Sequence, residues 1–138
     1  MACAPSSLIL AKHFTPISKA LGFSMNLDEL IHHYSNLDIE LISVKLVEIL
    51  NEWKTDNSNV HDLEILIEKY FGNIWLPTND IHDRCYQQWS KFRLSAIGQI
   101  NGMTMNERLY WFSLFERFDN CKTENQKQDV YSKLCAKT

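Results

Sequence analysis

The chain has 138 residues, and its 45% hydrophobic and 22% charged residues are typical of a globular domain large enough to bury a core. Four Gly and three Pro are few for a turn-rich sandwich or barrel, so the composition favours helices. No uncharged apolar run of about 18 residues is present, and residues 1–10 lack the basic region of a secretory signal, so we expect a cytoplasmic protein without a membrane span.

The charge is divided unevenly along the chain. Residues 24–83 carry twelve acidic and three basic side chains, a net charge of −9, whereas residues 84–138 carry nine basic and five acidic ones, a net charge of +4. The acidic half is either an ordinary solvated surface or a surface that attracts a basic partner. Because the basic residues of the second half are thinly spread, we do not expect nucleic-acid binding.

The first predicted helix begins at Asn26. Residues 1–23 before it are poorly patterned, with only a short helical stretch at 17–21. Asn26 and Glu29 have the three-residue spacing at which each side chain caps a backbone N–H of the other residue. Apolar residues at helical spacing follow to about Ser35.

Two stronger helices follow in the acidic half. Apolar residues recur at helical spacing over 38–53 and over 60–71, and the polar residues 56–59 between them predict a loop. The inward side of the second helix is predicted to carry Leu63, Leu66, Ile67, Tyr70 and Phe71. Residues 76–79 interrupt the pattern, and we interpret them as a connection within one domain.

Two long helices are predicted in the basic half. The first spans 80–100, where Gly98 indicates either a close approach of another helix or an early end. The second spans 103–119 and begins with the capping pair Thr104 and Glu107. Its apolar face is too wide for a helix that rests on a surface, so we expect it to be the central helix.

Thr123 and Gln126 form a further capping pair, which opens the last predicted helix. The sequence therefore predicts an all-α fold, a single-domain bundle of about six helices. The predicted domain spans residues 1–138 and consists of the poorly patterned segment 1–23, an acidic helical half 24–75 and a mildly basic helical half 80–138.

Candidate catalytic and metal-binding residues are few. His82 and Cys85 have the spacing of two ligands on one helical turn, but no second paired motif completes a zinc site. His82 with Arg84, Tyr86 and Arg93 is a candidate cluster for a phosphate-processing enzyme. Since no phosphate-binding loop, nucleophile elbow or metalloprotease motif is present, we expect no enzyme activity, no cofactor and no metal.

The four tryptophans and four cysteines are predicted to be mostly structural. We expect Trp53, Trp89 and Trp111 in the core, and Trp75, which precedes a proline-containing loop, to be partly exposed as an apolar anchor. Without a paired motif, the cysteines are predicted to be reduced thiols. A bridge between Cys121 and Cys135 stays open as an alternative.

Residues 103–119 resemble a short helical module of small bacterial proteins. The resemblance rests on the pattern T-x-N-E-R-L-x-x-x-G-L-x-x-x-F-D, which the chain matches from Thr104 to Asp119 except that Ser113 stands where the pattern often has Gly. The module is a helix-packing signature, so the resemblance implies a bacterial origin and transfers no functional residue.

As a small, acidic, all-helical chain without catalytic motifs, the whole chain is similar to the immunity proteins of bacterial polymorphic toxin systems, such as contact-dependent growth inhibition. Such proteins bind one cognate toxin domain, often a basic nuclease, and block its active site or substrate surface. The resemblance implies a toxin C-terminal domain as the protein partner, bound to the acidic surface of residues 24–83. The residues that we expect to bind it are Asp38, Glu40, Glu48, Glu52, Asp56, Asp62, Glu64, Glu68 and Trp75.

Two other functions stay open. The chain is alternatively a structural or regulatory protein that forms homo-oligomers through helix faces. The third reading is a small nuclease-like or phosphate-processing enzyme that uses His82 and Arg84. Reversing charges on the acidic face tests the first reading, and a large stable homodimer whose interface hides that face would favour the second. Loss of a measured activity in His82→Ala would support the third.

Overall fold

A computed structural model describes residues 25–37, 41–74 and 80–136 of the chain. Within these ranges it contains seven α-helices and no strand, which confirms the predicted all-α fold. The helices are α1 (Leu27–Ser35), α2 (Leu41–Thr55), α3 (Val60–Asn73), α4 (Asp80–Phe92), α5 (Met105–Trp111), α6 (Phe115–Asp119) and α7 (Glu124–Lys133). None of the described helices is both long enough and apolar enough to cross a membrane. The helical stretch predicted at 17–21 lies outside the described residues.

Capping boxes fix the start of four helices. The predicted pairs Asn26–Glu29, Thr104–Glu107 and Thr123–Gln126 are all formed, and each opens the helix that the sequence placed there. A fourth box, Asn59–Asp62, opens α3. In each box the two side chains satisfy backbone N–H groups that have no partner inside the helix.

The helix predicted over 80–100 ends earlier. Its α-helical part stops at Phe92, and a π-helical turn, Arg93–Ile97, and a 3₁₀ turn, Ile100–Gly102, complete the segment. The Gly98 N–H donates to the Arg93 carbonyl at 2.8 Å, which closes the wider turn. A Cβ atom at Gly98 would lie 2.9 Å from the Leu94 carbonyl oxygen, so the glycine serves the turn that precedes it and not another helix.

The prediction of one central helix over 103–119 is wrong, because the segment forms two helices, α5 and α6, that meet at Ser113. Ser113 has a left-handed backbone with φ of 56°. Its N–H donates to the Tyr110 carbonyl at 3.2 Å, and the Leu114 N–H donates to the Leu109 carbonyl at 2.9 Å. This pair of bonds is a Schellman motif, which ends a helix. A glycine adopts this conformation most easily.

The Ser113 side chain supplies a compensating contact. Its Oγ accepts a hydrogen bond of 2.9 Å from the Asp28 N–H in the first turn of α1. Ser113 thus ends α5 through its backbone and caps α1 through its side chain. The left-handed backbone costs a non-glycine residue roughly 1–2 kcal/mol, which is comparable to the gain from one such hydrogen bond.

These opposing contributions predict an order of stability among Ser113 variants. Ser113→Ala loses the hydrogen bond and keeps the backbone cost, so it should lower the free energy of unfolding by about 1 kcal/mol. Ser113→Gly loses the same bond but relieves the backbone, so it should remain within about 0.5 kcal/mol of the wild type. Urea unfolding of the three proteins measures both differences. Equal stability of the Ala and Gly variants would contradict the left-handed assignment.

One hydrophobic cluster runs through the described residues, from Leu27 on α1 to Leu134 after α7. It contains Trp53, Trp89 and Trp111, which confirms the prediction that these tryptophans are core residues. The Tyr34 hydroxyl donates to the Cys85 carbonyl at 2.7 Å and ties α1 to α4 inside this core.

Arg108 of α5 is the charged residue that joins three segments of the second half. Its side chain is buried, and Nη2 donates to the Ile100 carbonyl at 2.8 Å. Nη1 donates to the Cys135 carbonyl at 3.0 Å and to the Leu134 carbonyl at 3.4 Å. The guanidinium therefore joins the first residue of the 3₁₀ turn, whose carbonyl also accepts from the Met103 N–H, to carbonyl groups just after α7, where a helix leaves them without partners.

Candidate interaction surface

The residues predicted to bind a partner divide into three groups in the structure. Asp38, Glu40 and Trp75 lie outside the described residues. Asp56, Asp62, Glu64 and Glu68 contact other residues of the chain and help to hold the fold together. Glu48 and Glu52 lie on the outward side of α2 and are exposed.

Asp56 belongs to a loop that is closed by a buried lysine of α7. The Lys133 side chain is 0% exposed, and its Nζ donates to the Asp56 carbonyl, the Asp56 carboxylate and the Ser58 carbonyl at 2.8, 2.8 and 2.7 Å. The same Nζ lies 3.9 Å from the centre of the Trp53 ring. Three acceptors and an aromatic face match the three protons and the positive charge of an ammonium group.

Burial disfavours the charged forms of both side chains in this contact. Burial disfavours the charged Asp56 carboxylate, but hydrogen bonds from Lys133 and Ser58 outweigh it and lower the pKa of Asp56. Burial lowers the pKa of Lys133 in spite of the hydrogen bond with Asp56. The three short hydrogen bonds of Nζ favour the charged ammonium, because a neutral amine has only two protons to donate.

Arg117 of α6 binds the same loop from its other side. Nη1 donates to the carbonyls of Lys54 and Asp56 at 2.9 and 2.7 Å, and Nη2 donates to the Asn57 side chain at 2.7 Å. The carbonyls lie at the end of α2, where a positive charge also complements the helix dipole. The basic residues Arg108, Arg117 and Lys133 are therefore part of the folded framework.

The acidic residues of α3 have structural partners as well. Asp62 forms the capping box with Asn59. The Glu68 carboxylate accepts hydrogen bonds from the Trp89 indole at 2.7 Å and the Tyr86 hydroxyl at 3.0 Å, and the first of these donors belongs to a fully buried residue. The hydrogen bond to Glu68 raises the pKa of Tyr86. Arg93 lies 3.8 Å from the carboxylates of both Glu64 and Glu68.

Glu68, which is bound within the fold, and Glu52, which is exposed, are expected to contribute differently to stability. Glu68→Ala leaves the buried Trp89 indole without an acceptor, so it should lower the free energy of unfolding by about 1–3 kcal/mol. Glu52→Ala, at an exposed position of α2, should change it by less than about 0.5 kcal/mol. Denaturant unfolding of both variants measures the difference. A Glu68→Ala protein as stable as the Glu52→Ala protein would show that Glu68 is not structural.

The other candidate residues are held by contacts within the fold. The rings of His82 and Tyr86 both pack edge-on against Phe71, with 5.4 and 5.0 Å between ring centres, and the Tyr86 hydroxyl and Arg93 contact Glu68. A carboxylate therefore lies beside two members of the predicted phosphate cluster, where it would oppose the binding of an anion. In the described part of the chain, no three His, Cys, Asp or Glu residues are placed to hold a metal ion. Cys121 and Cys135 are not bridged to each other.

Two open clefts lie on either side of Arg117. The larger has a volume of about 420 Å³ and is lined by residues of α2, the Ser113 turn and α6. The smaller has a volume of about 360 Å³ and is lined by α6, α7 and their connection. The charged group that both clefts share, the Arg117 guanidinium, is already bound to the end of α2. Neither cleft therefore offers converging unbound charges to a ligand.

Exposed aliphatic side chains stand beside the outward glutamates of α2. Among the described residues, the large apolar side chains on the surface are Leu41, Val44, Ile65, Leu66 and Leu94. The prediction that Leu66 points inward is wrong, because it is 48% exposed, and its neighbour Ile65 is 65% exposed. We define the α2–α3 face by its outward residues Leu41, Val44, Glu48, Glu52, Ile65 and Leu66.

Helical geometry places Leu66 at the junction of the two helices. Tyr70, one turn after Leu66, donates its hydroxyl to the Ile42 carbonyl of α2 at 3.4 Å, so this side of α3 faces α2. Burial raises the pKa of Tyr70, and electrostatic interactions with Cys85 and Glu48 raise it further by smaller amounts. Ile65 is offset from Leu66 by about 100° around the helix and points to solvent. Leu66 therefore lies on the side of α3 that faces α2, the helix that carries Glu48 and Glu52, and Ile65 lies on the outward side of α3.

Part of this surface could be predicted from the sequence. Its acidic residues were recognised by charge alone, which does not distinguish Glu48 from Glu68. Of its aliphatic residues, Leu66 alone is predicted from the sequence to face inward, whereas the observed inward stripe of α3 contains Val60, Leu63 and Ile67. Comparisons with protein-family models, with curated proteins and with solved structures found no match to this chain.

Proposed function

We propose that this protein is an immunity protein that binds and neutralises a basic toxin domain through the α2–α3 face. The observation that carries the proposal is the combination of Glu48 and Glu52 with the exposed aliphatic residues Ile65 and Leu66 on that surface. Interfaces commonly have an apolar centre and a charged rim. The proposal corresponds to the class of protein that the sequence resembles.

The charges of the face support a basic partner. Glu48 and Glu52 point to solvent one turn apart, and the nearest basic residue on this side of α2 is Lys45, at 3.7 Å from Glu48. Carboxylates at such exposed positions contribute little to folding, but they attract a positively charged partner and raise its association rate. A nuclease that binds phosphate groups needs a basic substrate surface, and an acidic inhibitor can cover that surface.

The remaining acidic residues support a rigid scaffold for this face. Asp56 and Glu68 are bound to Lys133, Tyr86 and Trp89, so they hold the ends and the back of α3. A preformed surface loses less conformational entropy on binding than a flexible one. In this proposal, Asp56 and Glu68 hold the two helices in position, and Glu48 and Glu52 contact the partner.

Co-expression tests the proposed function. The chain is produced together with the C-terminal domain encoded by the gene immediately upstream, and cell survival and a purified complex are scored. We expect the domain alone to be toxic, and the two chains together to restore growth and to elute as one complex. Absence of toxicity and of a complex would overturn the proposal. A stable homodimer that hides the α2–α3 face would instead support the self-associating alternative.

A further inference from the structure

We infer that the loop between α2 and α3, together with Trp53, forms a binding site for a primary ammonium group, and that Lys133 occupies this site from within the chain. The class of ligand is a primary alkylammonium ion, which the site takes when the Lys133 side chain is absent. The proposed interaction with a toxin makes no use of this buried lysine, so the inference does not depend on it.

The site presents three oxygens and one aromatic face to a single nitrogen. The carbonyl and carboxylate of Asp56 and the carbonyl of Ser58 accept from Lys133 Nζ at 2.8, 2.8 and 2.7 Å, so each ammonium proton has its own acceptor. The Trp53 ring, whose centre lies 3.9 Å from the same nitrogen, favours a cation there. A hard cation such as Ca²⁺ takes roughly six to eight oxygen ligands. The arrangement therefore fits an ammonium group and not a metal ion.

Contacts within the loop and from α6 hold each part of the site in place without the lysine. The Trp53 indole N–H donates to the Asn59 carbonyl at 2.9 Å and fixes the ring. The backbone N–H and the hydroxyl of Ser58 donate to the Asp56 carboxylate at 3.0 and 2.7 Å. Arg117 donates to the Asp56 carbonyl at 2.7 Å from the other side of the loop. Because an assembled site loses little conformational entropy when a ligand enters, it should bind a free ammonium ion as well.

The site borders solvent on the side of Asp56. The Lys133 side chain is fully buried, whereas the Asp56 side chain is 51% exposed. Lys133 is the last residue of α7 and reaches the loop with its whole aliphatic stem. The variant Lys133→Ala removes the atoms from Cγ to Nζ, which are those of n-propylammonium. It therefore leaves a space of matching length that ends at the three acceptors.

Chemical rescue of Lys133→Ala tests the inference. Urea unfolding of the full-length variant is measured with n-propylammonium chloride and with sodium chloride at the same ionic strength. For a dissociation constant on the order of 10 mM, about 100 mM propylammonium should raise the folding equilibrium constant roughly tenfold. The wild type, whose site is already occupied, should change by less than about twofold.

Two controls separate binding in the site from general effects of the solute. Lys133→Met loses the same hydrogen bonds but fills most of the space, so propylammonium should change its folding equilibrium constant by less than about twofold. Tetramethylammonium and 1-propanol, which lack the ammonium protons, should have equally small effects on Lys133→Ala. The inference is overturned if propylammonium gives no rescue. It is also overturned if Lys133→Met is rescued equally or if either of the other solutes is as effective.

Nuclear magnetic resonance of the wild type is a second test that does not require Lys133→Ala to fold. In ¹⁵N-labelled protein at slightly acidic pH, the Lys133 ammonium should give a resolved proton–nitrogen signal, because its protons are hydrogen-bonded and shielded from water. Its Cε protons should be shifted by the Trp53 ring. Exposed Lys69 is the internal reference, since its protons exchange rapidly with water. If Lys133→Ala is unfolded with and without propylammonium, this spectrum decides, and a Lys133 signal like that of Lys69 would overturn the inference.

Discussion

Replacing Lys133 with methionine should lower the free energy of unfolding by about 3 kcal/mol. Methionine keeps much of the volume of the side chain but donates no hydrogen bond. The Ser58 carbonyl would lose its donor, and the Asp56 carbonyl would keep only the hydrogen bond from Arg117. The face of Trp53 would lose the positive charge that lies 3.9 Å from its centre. A buried polar group left without a partner costs more than the hydrogen bond contributed when it was formed.

Urea unfolding with two variants measures this effect. Lys127→Met is the matched control, because Lys127 is a lysine of the same helix, two turns earlier, and is partly exposed. We expect its change to remain within about 0.5 kcal/mol. If Lys133→Met were as stable as Lys127→Met, the buried ammonium would not be what closes the loop at 56–58.

Replacing Arg108 with methionine should lower the free energy of unfolding by about 2 kcal/mol. Its guanidinium bonds carbonyl groups of Ile100 and Cys135, which lie in two segments far apart in the sequence. Nε of Arg108 is buried and has no hydrogen-bond partner, which offsets part of the gain and makes the expected effect smaller than that of Lys133.

The variant Arg108→Lys tests whether the planar shape of the guanidinium, and not only its positive charge, stabilises the fold. A lysine ammonium is a single point of donation and does not reproduce the planar fork that reaches both carbonyls. We expect it to recover less than half of the stability lost in Arg108→Met, as measured by thermal and urea unfolding. Full recovery by lysine would contradict the two-sided contact. Asn106→Ala, at an exposed position of the same helix, is the control.

The sequence was sufficient for the parts of the fold that depend on local contacts. The capping pairs Asn26–Glu29, Thr104–Glu107 and Thr123–Gln126 were recognised because both partners lie three residues apart. The break between α5 and α6 was missed, because the residue with the left-handed backbone is Ser113 and not a glycine or an asparagine. That conformation is supported by a contact with Asp28, 85 residues away.

Long-range contacts also decided which acidic residues are available to a partner. Asp56 meets Lys133 across 77 residues, and Glu68 meets Trp89 across 21 residues. A charge count over residues 24–83 weighs these acids equally with Glu48 and Glu52. The exposure of Leu66 was missed for a similar reason, because apolar periodicity shows that a residue lies near the core side of a helix but not whether a neighbouring helix covers it.

Salt-dependent affinity tests the role of the α2–α3 face most directly. The proposed partner is the domain encoded by the gene immediately upstream, and the dissociation constant of its complex is measured at low and at physiological salt for the wild type and for Glu48→Lys/Glu52→Lys. Glu116→Lys/Asp129→Lys is the control, since it changes the net charge equally at exposed positions of α6 and α7. We predict that the α2 reversal weakens binding at least tenfold at low salt and reduces its salt dependence, while the control has a much smaller effect. Equal affinities and equal salt dependence for both reversals would contradict binding through this face.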